Sequence, residues 1–285
     1  MVRRRIADEP MSRLAIWARR IALFSLAATF LAVVIVRWGI LEIVPALATL
    51  AGALALGVVA LLLAFGAAAV IWKDGIDGMG HAATALFIGL ALIAYPTYLG
   101  IKAYSLPAIY DVTTDPIDPP HYEAIARLRP RDANPLTYAG LYTAELQRAA
   151  YSDIEPELTN ATPKEAFEAA FNVVTKRKWR IVDARPPQLA GRRDGLIEAV
   201  ARTPILGFRD DVVVRVRATS DGARIDVRSA SRYGRHDLGT NAARVRALVD
   251  DIDDLLSAPE AKDKKKQPPP AKPTQAAGKG APVKR

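Results

Sequence analysis

The chain has 285 residues, about half of them apolar, and no cysteine, which excludes disulfides, thiolate metal sites and cysteine nucleophiles. Its net charge of +9 belongs to the two ends: residues 1–20 carry +4, residues 258–285 carry +6, and everything between sums to −1. A nucleic-acid-binding domain concentrates positive charge on a face of its own fold, so this distribution argues against nucleic acid as a partner. His81, His121 and His236 are far apart and none has a partner at ligand spacing, so no metal and no cofactor is expected.

After the basic segment 1–20, three apolar runs follow within residues 21–104. The first, Ile21 to Val36, is bracketed by Trp17 and Trp38. As a helix it spans about 31 Å between the two rings, close to the ~30 Å hydrocarbon thickness, with tryptophan at each water boundary. A cleavable signal peptide fits less well, because its apolar region needs only about 7–15 residues and here twenty residues precede the run. The second run, Ile43 to Trp72, and the third, Ala82 to Ile101, are also uncharged. Between the first two, Arg37 to Glu42 makes a tight hairpin.

Arg3, Arg4, Arg5, Arg13, Arg19 and Arg20 precede the first span, and the positive-inside rule keeps them cytoplasmic. Three spans then deliver the rest of the chain to the periplasmic side of a bacterial inner membrane. The spans hold no ionisable residue in their cores, which argues against a channel, pump or transporter. Ala48 and Gly52, and Ala53 and Gly57, permit close helix packing. They serve either the three-helix bundle or a homo-oligomer through the second helix.

Residues 105–160 read as a linker with short helices. Tyr110 to Pro120 is rich in Pro and Asp, an extended spacer lifting a domain off the bilayer. The α+β domain proper is expected over 161–257. Thr162 with Pro163 and Glu165 forms a capping box, followed by an apolar stripe of Ala166, Phe167, Ala170, Phe171 and Val174 at helical spacing. Strands are predicted at Trp179 to Ala184 and Gly195 to Arg202, then a hairpin over Asp211 to Ser229. Asp221-Gly222 as a two-residue loop pairs Ala218 with Ile225, Val216 with Val227, Arg217 with Asp226 and Arg215 with Arg228. A last helix runs from Thr240 to Leu256. The fold class is therefore α+β: a three-helix membrane region, then two layers with an antiparallel sheet of about four strands and flanking helices. The Lys- and Pro-rich composition of 258–285 predicts a disordered tail whose charge would attract anionic lipid or cell wall.

The stretch Arg228 to Arg244, RSASRYGRHDLGTNAAR, together with Phe208-Arg209-Asp210-Asp211-Val212 and Trp179-Arg180-Ile181-Val182, resembles the domain of unknown function 1499 family. The similarity runs from about Tyr110 to Leu256. It implies a membrane-anchored envelope protein of the kind common among the bacterial relatives, and it carries no established activity.

The predicted register sets Arg215 against Arg228, two like charges that repel unless neutralised. Beyond them lie Ser229, Ser231, Arg232 and Asp237, then Asn241 and Arg244 at the start of the final helix. Arginines beside a helix N-terminus suit an anion, so these eight residues form a candidate site for a phosphate, a lipid head group or a cell-wall carboxylate. The competing account is a polar network in which Asp210, Asp226, Glu198 and Asp237 satisfy the arginines and Thr240 or Asn241 caps the helix. Ser231, His236 and Asp237 have the residue types of a hydrolytic triad but lack a nucleophile elbow. Asp210 and Asp211, adjacent on a strand, point to opposite faces. No catalytic residue is assigned. The expected role is a membrane-anchored envelope binding or scaffolding module with an anionic ligand, the alternative being a hydrolase-like envelope enzyme acting on an anionic substrate.

Overall fold

The computed structural model describes residues 10–188 and 193–258; the expected disordered tail lies outside them, apart from Ala258. Three helices come first: α1 (Arg13–Trp38), α2 (Ile43–Asp74) and α3 (Met79–Ser105). All three are long and apolar enough to cross a membrane. The side chain of Ser12 accepts from the Ala15 N–H at the start of α1. Gly39 closes the helix in the left-handed region, with the Ile40 N–H reaching the Ile35 carbonyl, a Schellman end that turns the chain within four residues.

The bundle is glued by small residues. Ala18, Ala22, Ala60, Ala64 and Ala85 form its buried centre, where small side chains let helix backbones approach. A Cβ on Gly57 would lie 3.1 Å from the Ser25 hydroxyl, and one on Gly89 would lie 3.1 Å from Leu61. Ser25 donates to the Ala53 carbonyl at 2.7 Å, so its hydroxyl is satisfied between helices. Of the two small-residue pairs, Ala53 and Gly57 are spent inside the bundle while Ala48 and Gly52 face outward. The outward face is otherwise Phe24, Phe30, Leu62 and Phe87, as a lipid-exposed surface requires.

The second half is an antiparallel sheet in the order β1-β6-β5-β4-β3, with β2 also pairing β6. The strands are β1 (Asp111–Thr113), β2 (Glu157–Thr159), β3 (Arg180–Arg185), β4 (Gly195–Arg202), β5 (Arg209–Ala218) and β6 (Ala223–Ser231). One face carries α6 (Pro163–Lys176) and α7 (Thr240–Ser257). The capping box at Thr162 is formed in both directions. Alternate residues Ile197, Ala199, Val212, Val214, Ile225 and Val227 meet Phe167, Val174, Val245, Leu248 and Ile252 in the main core, each large side chain contributing about 1.5–3 kcal/mol by leaving water.

The other face is also covered. The chain from Asp115 to Gly140, with the short α4 (Ala124–Leu128), packs Tyr122, Ile125 and Leu136 on Leu196, Val200, Val213 and Ala230. Then α5 (Leu141–Ala150) leads toward β2. Burial on both faces is why β4 is closed from solvent along seven of its eight residues.

Three expectations are corrected. The sheet has six strands rather than four, because two three-residue strands share the outer edge of β6 in tandem. The supposed spacer is extended but pinned: residues 111–115 are buried, and Asp111 to Thr113 pair with β6. The β5–β6 loop has four residues, so the register shifts by two from the expected one: Ala218 faces Ala223, Val216 faces Ile225 and Arg215 faces Asp226. An even shift leaves the faces unchanged, so the core survives while the directly opposed charges change; the expected Arg217–Asp226 ion pair still forms, on the diagonal, at 2.8 Å. Gly222 answers a close approach instead of a primed two-residue turn, since a Cβ there would lie 2.1 Å from the Thr159 carbonyl of β2.

Candidate functional site

The sheet divides the eight candidate residues into two groups. Arg215, Arg228 and Arg232 lie under the 115–140 cover, whereas Ser229, Ser231, Asp237, Asn241 and Arg244 lie on the side of α7.

Arg228 is 1 % exposed and uses four of its five N–H donors. Its Nε and Nη2 meet the two Asp111 oxygens at 3.0 and 2.6 Å. Its Nη1 and Nη2 also donate to the carbonyls of Pro120 at 2.9 Å and Leu136 at 2.7 Å. The guanidinium lies 4.9 Å from the centre of the Tyr122 ring and 5.6 Å from that of Tyr138, within cation–π range. Burial pushes the Asp111 carboxyl above its usual range, against the opposing pull of Arg228.

Arg215 is held by Asp226 at 3.0 Å and by Asp118 at 3.1 Å. Two neighbours join it: Arg217 and Arg224 stand opposite each other in the observed register. Asp226 binds both, at 2.8 Å each, and Asp115 binds them at 3.2 and 2.5 Å. Three arginines are thus matched by three aspartates. Burial alone would raise Asp115, but the Asp118 N–H, the charge of Arg224, the Ile117 N–H and Arg217 carry it below the ordinary value. Arg232 grips one oxygen of Asp211 at 2.9 and 2.7 Å, and Arg129 approaches the other at 3.1 Å.

On the helix side, Arg244 donates to Ser229 Oγ, Asn241 Oδ1 and Asp210 Oδ2 at 2.9, 2.6 and 2.6 Å. Asn241 donates in turn to Ser231 Oγ and the Tyr110 carbonyl, both at 2.9 Å. The start of α7 already holds an anion: Asp237 accepts from the N–H groups of Gly239 and Asn241 at 2.9 and 2.8 Å. Gly239 is the N-cap residue, and Asp237, two residues before it, accepts the N–H groups at the helix start, a capping role expected of Thr240 or Asn241. Burial lifts its carboxyl above the usual range, opposed by those two N–H groups.

The hydrolytic constellation is not assembled. The His236 Nε2 lies 3.1 and 3.2 Å from the carbonyls of Ala103 and Leu106, at the end of α3. Its Nδ1 accepts from the Leu238 N–H at 3.0 Å, so the imidazole joins the domain to the bundle and does not bond Ser231. Asp210 and Asp211 serve opposite faces, as their adjacency predicts. Among the described residues no group of His, Asp and Glu is placed to hold a metal.

Several residues of this layer were not anticipated. Glu198, expected as an arginine partner, is fully buried and instead accepts the backbone N–H groups of Glu123, Ala124 and Ile125 at 3.0, 2.9 and 2.8 Å. Its place inside the apolar strand Leu-Ile-Glu-Ala-Val marks a charge that needs donors. Asp111 and Asp115 were hidden by the spacer reading, and Tyr122 and Tyr138 have no pattern that announces them. Beside Arg228 these tyrosines line a cavity of about 570 Å³ with Leu141 and Arg148.

Comparison with curated proteins and with solved structures gives no match. Residues 111–252, the segment that builds the sheet, its covers and this polar layer, match the family described as Protein of unknown function (DUF1499), and this part of the chain belongs to that family.

Proposed function

We propose that the protein is a membrane-anchored cell-envelope module that binds or scaffolds and does not transform a substrate, with its basic N-terminus cytoplasmic and its sheet domain periplasmic. The observation that carries this reading is the self-neutralised polar layer. Each of the expected site arginines, Arg215, Arg228, Arg232 and Arg244, is bonded to an aspartate of the chain, and the Ser231 hydroxyl is held by the Asn241 amide, with no hydrogen bond to an imidazole or carboxylate among the described residues. Such a layer fixes the 115–140 cover and the start of α7 to the sheet. The anionic partner is then met by arginines outside that layer.

Reporter fusions after Ser257 test the placement: a phosphatase should be active there and a cytoplasmic fluorescent reporter dark. The reverse pattern overturns the orientation. In a deletion strain with an envelope-permeability defect, Ser231→Ala should complement as fully as the parent. Failure of that variant with a folded domain would favour the hydrolase.

A further inference from the structure

The sheet contains two directly opposed arginine pairs, and only one is neutralised. Arg217 and Arg224 share Asp115 and Asp226. At the other end of the sheet, Arg202 of β4 faces Arg209 of β5. Both are exposed, and among the described residues no carboxylate bonds either guanidinium. Like charges directly opposite repel, so this pair lacks the counter-charge that its counterpart has.

The β4–β5 turn carries this pair to the membrane region. Arg37, near the end of α1, donates to the carbonyls of Pro204 and of Ile205, the latter at 3.1 Å. Gly207, at a φ of +68°, leaves the space that Arg37 fills, since a Cβ there would lie 3.2 Å from the Arg37 carbonyl. Arg37, Arg202 and Arg209 thereby line one cavity of about 460 Å³, with Leu41, Ile43 and Phe208 as apolar walls. Arg232 also borders it but is committed to Asp211. Of the two carboxylates on the rim, Glu42 and Asp132, Asp132 accepts from Tyr233 at 3.4 Å. Trp38 is 68 % exposed beside the cavity, and a tryptophan at the end of a spanning helix sits at head-group level.

Resting on the membrane-anchored reading, we propose that Arg37, Arg202 and Arg209 bind the phosphate of an anionic phospholipid in the leaflet facing the domain. The guanidinium fork matches phosphate oxygens, and the apolar wall beside α2 receives the upper acyl chain. The lipid supplies the charge that the Arg202–Arg209 pair lacks and fixes the domain on the bilayer.

The test is thermal unfolding of the full chain in mild detergent, with phosphatidylglycerol, phosphatidylcholine or inorganic phosphate added. Phosphatidylglycerol should raise the melting temperature of the parent by mass action, and the other two should not. Arg202→Gln/Arg209→Gln should melt without lipid at or above the parent temperature, and should need roughly tenfold more phosphatidylglycerol for the same shift. The single variants replace it if the double variant does not fold. An unchanged lipid response in these variants, or an equal response to phosphatidylcholine, overturns the site. A full response to inorganic phosphate alone overturns the lipid in favour of a free anion. Because this measurement is indifferent to which side the domain faces, its failure is distinguishable from a failed topology fusion.

Discussion

Arg228→Gln separates a ligand site from a structural pair most directly. With Arg228 and Asp111 each 1 % exposed, removing the cation leaves a buried carboxylate without its bidentate partner. Breaking such a pair costs about 3–5 kcal/mol, a large share of the ~5–15 kcal/mol that holds a domain folded. At about 2–4 °C per kcal/mol for a unit of this size, the melting temperature should fall by roughly 6–20 °C. The register expected from sequence, with Arg228 facing Arg215, would leave the same variant as stable as the parent or slightly more so. Urea titration of the parent, Arg228→Gln, Asp111→Asn and the double variant gives the coupling. The double variant should lose much less than the two single losses combined, because neither buried charge is then stranded. The deficit of Arg228→Gln should also shrink on acidification: Asp111 already titrates high through burial, and without Arg228 it takes up a proton more readily still. A loss below about 1 kcal/mol, or strictly additive losses, would refute the pair as the anchor of this face.

Glu198→Gln should destabilise by about 1–3 kcal/mol, because a charged acceptor of three N–H groups becomes a neutral one with a donor among them; hydrogen exchange at Glu123, Ala124 and Ile125 should quicken first, and unchanged protection there would refute the anchoring role. Asp115 titrates below its ordinary 3.8, so it contributes stability that is present above that value and lost as pH falls through the lower folded one. Asp115→Asn should therefore be less stable at neutral pH and show a shallower loss below pH 3.8, and parallel acid limbs would remove Asp115 from the account.

Much of the architecture was legible because it rests on local physics. Thr162 and Glu165 announce a helix start through hydrogen bonds three residues apart, and β4 appears at its expected bounds because Gly195 and Arg202 delimit an apolar run. What failed was whatever depended on a partner distant in sequence. Asp221-Gly222 is the signature of a tight turn, yet the glycine is required by the Thr159 carbonyl, more than sixty residues earlier. Likewise, Asp111 to Asp115 resemble a spacer until the free edge of β6 is known to need pairing.

The same distance rule governs the candidate site. Two of the expected counter-charges do hold their arginines, Asp226 at Arg215 and Asp210 at Arg244, but the carboxylates at Arg228, at Arg224 and on the other side of Arg215 are Asp111, Asp115 and Asp118, about a hundred residues upstream. A charge cluster in sequence is therefore a signal of cost to be met, and only the fold says whether the chain meets it itself. Where it does, as at Arg217 and Arg224, the side chains withdraw partly from water, to 27 and 31 % exposure, because a neutral group of ions can leave water with its hydrogen bonds intact. Where it does not, as at Arg202 and Arg209, the pair stays exposed and faces the membrane-proximal turn of α1 and α2. The contrast between two opposed pairs in one sheet, under the same strand geometry, makes the second the place to look for a ligand.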